Sequence, residues 1–169
     1  MKINVDLKDG LLPDKYGKFA PSEYIKNGKP LISFPVDFSD IPENAKSIAF
    51  TFTDPDSIPV CGFEWIHWTM ANIPADMLSL PENFSHDASA NFIQGKNSSA
   101  SKLLDNVDPE LQSGYNGPYP PDQTHDYVIH AYALDKNLDI KPGFWMNELL
   151  HAMDGHILDS ATFVIPSRA

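Results

Sequence analysis

Two clusters of side chains in this chain are equipped to do chemistry together. Asp54-Pro55-Asp56 precedes His67-Trp68, and Gly114-Tyr115-Asn116-Gly117-Pro118-Tyr119-Pro120-Pro121 precedes His125-Asp126-Tyr127. Proline fixes the backbone φ and glycine reaches conformations closed to other residues, so each turn can hold acidic or imidazole groups in a preset arrangement. Carboxylates near a histidine stabilise its imidazolium and raise its pKa. An imidazolium donates charge-assisted hydrogen bonds to a phosphate or carboxylate. Backbone amides of the Gly117 turn would add donors that carry no net charge. The expected chemistry is capture of a small anion, best a head group with both a phosphate and an amine. Affinity should then rise as pH falls through the histidine range.

The elements that must position these groups read as strands. Segment 46–53 places Ile48, Phe50 and Phe52 on one face and Ala49, Thr51 and Thr53 on the other, the period of a half-buried strand. Segments 63–72 and 126–134 are rich in aromatic and β-branched residues and read as strands with apolar groups on both faces. The alternation at Met1–Asp6 predicts a first strand, and 161–165 a last one ended by Pro166. After Pro142-Gly143, Trp145, Leu149 and Met153 recur at i+4 until Gly155, which predicts a helix near 143–154. Residues 82–118 lack periodicity and predict a long excursion with a short helix near 99–105. The whole, 1–169, reads as one mainly antiparallel β domain of two packed sheets with a few helices.

Bulk properties narrow the function. A net charge of −11 without any basic cluster argues against nucleic acid and against anionic membrane surfaces. No apolar run reaches the ~20 residues of a membrane span, and the N-terminus lacks the apolar centre of a secretory signal. Cys61 is the only cysteine, so no internal disulfide forms and a reducing cytoplasm is the expected location.

Each candidate also has a plainer role. Asp54 and Asp56 suit a turn as well as a pocket, and His67, between Ile66 and Trp68, suits a hydrogen-bonded core. His130, His151 and His156 are assigned to structure and His86 to an exposed loop. Trp65, Trp68 and Trp145 read as core, Tyr115 and Tyr119 as candidates for the pocket rim, and Cys61 as a passive thiol. Ser98-Ser99 lacks the nucleophile elbow of a hydrolase, and no Gly-rich nucleotide loop is present. No catalytic residue, resident metal or cofactor is therefore expected. An alternative remains, a hydrolytic enzyme using Asp54, Asp56, His67 and His125 with or without a divalent metal.

The Asp-Pro-Asp turn followed by Gly62, Trp65 and His67-Trp68, then Gly-Tyr-x-Gly-Pro-x-Pro-Pro with His125-x-Tyr127, resembles the phosphatidylethanolamine-binding protein family. The likeness is nearer to its bacterial, Raf kinase inhibitor-like branch. Ile41-Pro42, Asn72-Ile73-Pro74 and Tyr132-Ala133-Leu134-Asp135 extend it over most of the chain. The resemblance implies a Greek-key-like β-sandwich with a small anion pocket built from Asp54, Asp56, His67, Gly117, Pro118, Pro120, Pro121, His125 and Tyr127. It further implies a phosphorylated or carboxylated ligand, a protein partner such as a kinase or protease that the family member inhibits, and, in some bacterial members, a homodimer. The chain departs from the family pattern at Phe38, Tyr119 and Asp126. A third reading places partner inhibition in loop 82–118 instead of the pocket.

Overall fold

The computed structural model describes residues 1–87, 92–105 and 107–169. Its strands and helices, in chain order, are β1 (Lys2–Asn4), β2 (Ile25–Lys26), β3 (Lys29–Pro30), β4 (Val36–Ser39), β5 (Ser47–Asp54), α1 (Ile58–Cys61), β6 (Trp65–Pro74), β7 (Ser79–Leu80), β8 (Ile93–Gln94), β9 (His125–Leu134), α2 (Met146–Met153) and β10 (Ile157–Ser167). The large antiparallel sheet has the order β10-β9-β5-β6-β8, a smaller one runs β1-β4-β7, and β2-β3 form a separate ribbon. Beside the sequential pairs β5-β6 and β9-β10, the pairings β5-β9, β1-β4 and β4-β7 join strands distant in sequence, as the Greek-key-like sandwich requires.

Alternation decides which face each strand buries. From β5, Ile48, Phe50 and Phe52 enter the main core with Val36 and Phe38 of β4, Ile3 of β1, and Trp68 and Met70 of β6, so the two sheets pack face to face. Ala49 points the other way, where Ala71, Leu134, Phe144 and α2 residues Leu149 and Met153 form a second apolar layer. The face assignment made from the sequence holds, but β5 is buried on both faces along its whole length rather than half-buried. Its central place and the cover of α2 account for the difference.

Three further expectations change. The last strand begins earlier, at Ile157, and continues through Pro166. Edge strands accept proline because one row of amides has no sheet partner, and β10 is an edge. The excursion 82–118 holds β8 and short 3-10 turns at Phe84–His86, Ser98–Ala100 and Pro109–Leu111, and residues 101–105 do not continue as a helix. The predicted C-terminal helix forms as α2, with Glu148 accepting a hydrogen bond from the Trp145 amide at 2.6 Å. Trp145 itself is 38% exposed beneath Lys96, not core.

Candidate functional site

The mouth of the site is made where β5 ends. Asp54 closes β5 and caps the 3-10 turn Pro55–Ser57, its Oδ1 accepting from the Ser57 amide at 3.1 Å. The Ser57 hydroxyl donates to the Asp54 carbonyl (2.6 Å) and accepts from the Trp65 amide (2.9 Å), which ties the turn to the start of β6. Asp54 Oδ2 lies 2.8 Å from Nδ1 of His125, the first residue of β9, across 71 positions of sequence. The two corners identified in the sequence therefore meet.

A cavity of about 200 Å³ opens beside this pair. Of the residues expected to form a pocket, Asp54, His67, Gly117, Pro121, His125 and Tyr127 line it, and Tyr119 stands at its rim. Four do not. Asp56 turns away and accepts the Asp126 amide at 2.8 Å, pinning the 3-10 turn to β9. Pro118 and Pro120 are buried in the turn behind the wall. Tyr115 is not a rim residue at all: it is fully buried, stacked on Phe52, edge-on to Phe34 and Trp68, with its hydroxyl donating to the Tyr16 carbonyl at 2.6 Å. A Gly/Pro loop looked exposed, but this one plunges into the core.

The expected amide donors of the turn are already committed. The Asn116 amide donates to the His67 carbonyl (3.0 Å), the Gly117 amide to the Pro30 carbonyl (2.8 Å) and the Tyr119 amide to the Tyr127 hydroxyl (3.2 Å). Pro118, Pro120 and Pro121 have none to give. An anion here must be held by side chains.

The two histidines also differ from expectation and from each other. His67 donates from Nδ1 to the Asn116 carbonyl at 2.6 Å, which leaves Nε2 as the lone-pair nitrogen of a neutral ring. Burial lowers its pKa to about 4, outweighing the favourable carbonyl contact, and the nearby Lys29 and His125 charges act in the same direction as burial. It is neutral throughout the physiological range. His125 is held between two carboxylates, Asp54 at Nδ1 and Asp122 at Nε2 (3.0 Å). Burial opposes its charging, but those two acceptors together lift its pKa above 6.5. Desolvation, with Asp54 adding to it, drives the Tyr127 phenol well upward, so it stays protonated. Any titration in the histidine range comes from His125, not from both rings.

Sequence reasoning missed the cation. Lys29 of β3 lines the cavity, half-buried, with its ammonium 5.4 Å from the Trp65 ring centre. Among the described residues no carboxylate pairs with it, and burial pulls its pKa below the ordinary 10.5. The signal for its position was present: Asn27-Gly28, with φ of 48° and 75°, is the two-residue hairpin turn that joins β2 to β3. Trp65 and the exposed thiol of Cys61 complete the outer wall, so Trp65 is cavity lining rather than core. His86 is not an exposed loop residue either, since its Nε2 lies 2.9 Å from the Tyr115 carbonyl and its side chain is half-buried. Of the four side chains considered for a metal, Asp54, His67 and His125 line the cavity and Asp56 does not, and no group of three or more His, Cys, Asp or Glu arranged to hold a metal ion occurs among the described residues.

A two-sheet antiparallel sandwich with an acid–imidazole cavity where β5, β6 and β9 meet the proline turn defines a recognisable class. The sequence model described as phosphatidylethanolamine-binding protein matches residues 5–167, and this chain belongs to that family. It is 49% identical over 157 residues to the uncharacterised protein YxkA of Bacillus subtilis, covering 93% of this chain and 94% of that one. It is 31% identical to YbhB of Escherichia coli over 147 residues, with 83% and 82% covered. The crystal structure of a phosphatidylethanolamine-binding protein homologue from Chlamydia trachomatis superposes with a TM-score of 0.78 at 31% identity, covering 99% of this chain and 97% of the other. YbcL of E. coli shares the fold (TM-score 0.75, 20% identity, 99% and 98% covered).

Proposed function

We propose that the cavity binds a small phosphorylated or carboxylated group and that the protein is a binding protein rather than an enzyme. The observation that carries this reading is Lys29, an ammonium drawn partly out of water with no counter-ion among the described residues. A desolvated charge without a partner is unfavourable, and an anion in the cavity would supply one. The lone-pair Nε2 of His67 complements Lys29 by accepting from a ligand hydroxyl or ammonium, as in a singly protonated phosphate or a phosphate–amine head group. The volume suits such a group and not a drug-sized molecule, for which ~300 Å³ or more is usual. Against catalysis, the Ser57 hydroxyl is occupied by backbone groups and no base addresses it.

Regulation of a protein partner is proposed as the biological output, with the exposed Val60 and Tyr119 giving a partner apolar ground around the mouth. Cytoplasmic location belongs to the same proposal. Titration calorimetry with inorganic phosphate tests the site. Lys29→Met should weaken phosphate binding about tenfold or more, because hydrogen bonds to charged groups contribute roughly 1.5–3 kcal/mol, with unchanged circular dichroism. Equal affinity in the variant and the parent would remove the reading.

A further inference from the structure

His125 presents its two nitrogens to carboxylates of very different standing. Asp54 is 4% exposed and fixed from behind by the Ser57 amide. Asp122 holds the outer nitrogen, yet its side chain is 56% exposed while that of His125 is 1% exposed. Among the described residues, the Asp122 carboxylate interacts beyond His125 with the amides of its own residue and of Gln123. More than half of its side chain already faces water, so it can turn outward without losing a buried contact other than that to His125. Asp122 follows Pro121, itself a cavity residue, so the contact sits at the rim of the site. The titratable groups facing His125 are Asp54 from β5, Asp122 from the turn, His67 from β6 and Tyr127 on β9 itself.

We propose that Asp122 is a specificity-determining residue of this cavity: its carboxylate is a built-in competitor for the outer nitrogen of His125, which a ligand anion must displace. The inference rests on the anion-binding reading above and deepens it. A tethered carboxylate competes at an effective concentration on the order of millimolar or more. A free monocarboxylate offers His125 nothing that Asp122 does not already provide, and so gains little by exchange. A doubly charged phosphate brings more charge and more acceptor oxygens, interacts with Lys29 at the same time, and gains from the exchange. Asp122 thus screens out simple carboxylates and admits phosphomonoesters.

The test uses the full chain with inorganic phosphate and acetate as probes, in the parent, Asp122→Ala and Asp122→Asn. Alanine vacates the nitrogen; asparagine removes the charge but keeps an acceptor in place. Expected are acetate binding tightened about threefold to tenfold in Asp122→Ala, a smaller gain for phosphate, and a weaker effect on both in Asp122→Asn. Nitrogen-15 NMR of His125 should show Nε2 shifting in unliganded Asp122→Ala, and shifting on phosphate addition to the parent. If the parent binds phosphate and Asp122→Ala leaves both affinities and the Nε2 signal unchanged, the competitor role is overturned while the anion site stands. Equal gains in the two variants would reduce Asp122 to plain charge repulsion and also overturn it. Phosphate binding to none of the three would overturn both.

Discussion

At the scale of single residues, His67 makes the sharpest statement. Its folded pKa of about 4 lies below the ordinary 6.5, so the unfolded chain takes up a proton that the native state refuses between those values. Its contribution to stability is full above pH 6.5 and is lost as pH falls toward 4. A shift of this size corresponds to about 3 kcal/mol. His67→Asn places an amide where Nδ1 was, keeping a donor for the Asn116 carbonyl while removing the titration. Urea melts at pH 7 and pH 4 should therefore show the parent losing about 3 kcal/mol more than the variant. Parallel losses would mean that His67 charges freely in the native state. His125 has the opposite sign: its pKa is raised, so its contribution is complete below 6.5 and fades as pH rises through the folded value.

At the scale of elements, the turn 114–121 decides whether there is a cavity. A Cβ on Gly117 would lie 2.3 Å from the Tyr16 carbonyl oxygen and 2.8 Å from Pro30 Cβ, closer than real contacts permit. Gly117→Ala must lift the turn from β3, and overpacking of this kind typically costs about 1–3 kcal/mol. Chemical denaturation should register that loss, and unchanged stability would show that the turn does not press on β3. The same turn explains what could and could not be read from the chain. Period-2 alternation exposed β5, and the aromatic, β-branched runs exposed β6 and β9. Histidine next to a proline turn exposed the Asp54–His125 pairing. Lys29 stayed hidden because it sits on a two-residue strand with no periodicity, held in place where the Gly117 amide, far along the chain, donates to the adjoining Pro30 carbonyl. Tyr115 was misread because turn composition says nothing of what packs around a turn. The fate of the Gly117 amide depended likewise on a partner strand that local sequence does not reveal.

At the scale of the whole molecule, charge and hydrogen-bond topology set the behaviour. With a net charge of −11 the surface repels anionic bilayers at distances up to the screening length. Among the described residues no helix is long and apolar enough to cross a membrane. Vesicles rich in phosphatidylserine at low salt should leave the protein in the supernatant after sedimentation; pelleting with them would contradict this electrostatic account. The cavity wall is stitched to the rest of the chain by contacts far apart in sequence, from Asn116 to His67, Gly117 to Pro30 and Tyr115 to Tyr16. A half-built chain cannot possess that wall. Non-local closures of this kind come late and slowly, so occupancy reports the completion of folding rather than its onset. A ligand would then prolong the lifetime of the finished molecule while leaving the speed of its assembly almost untouched.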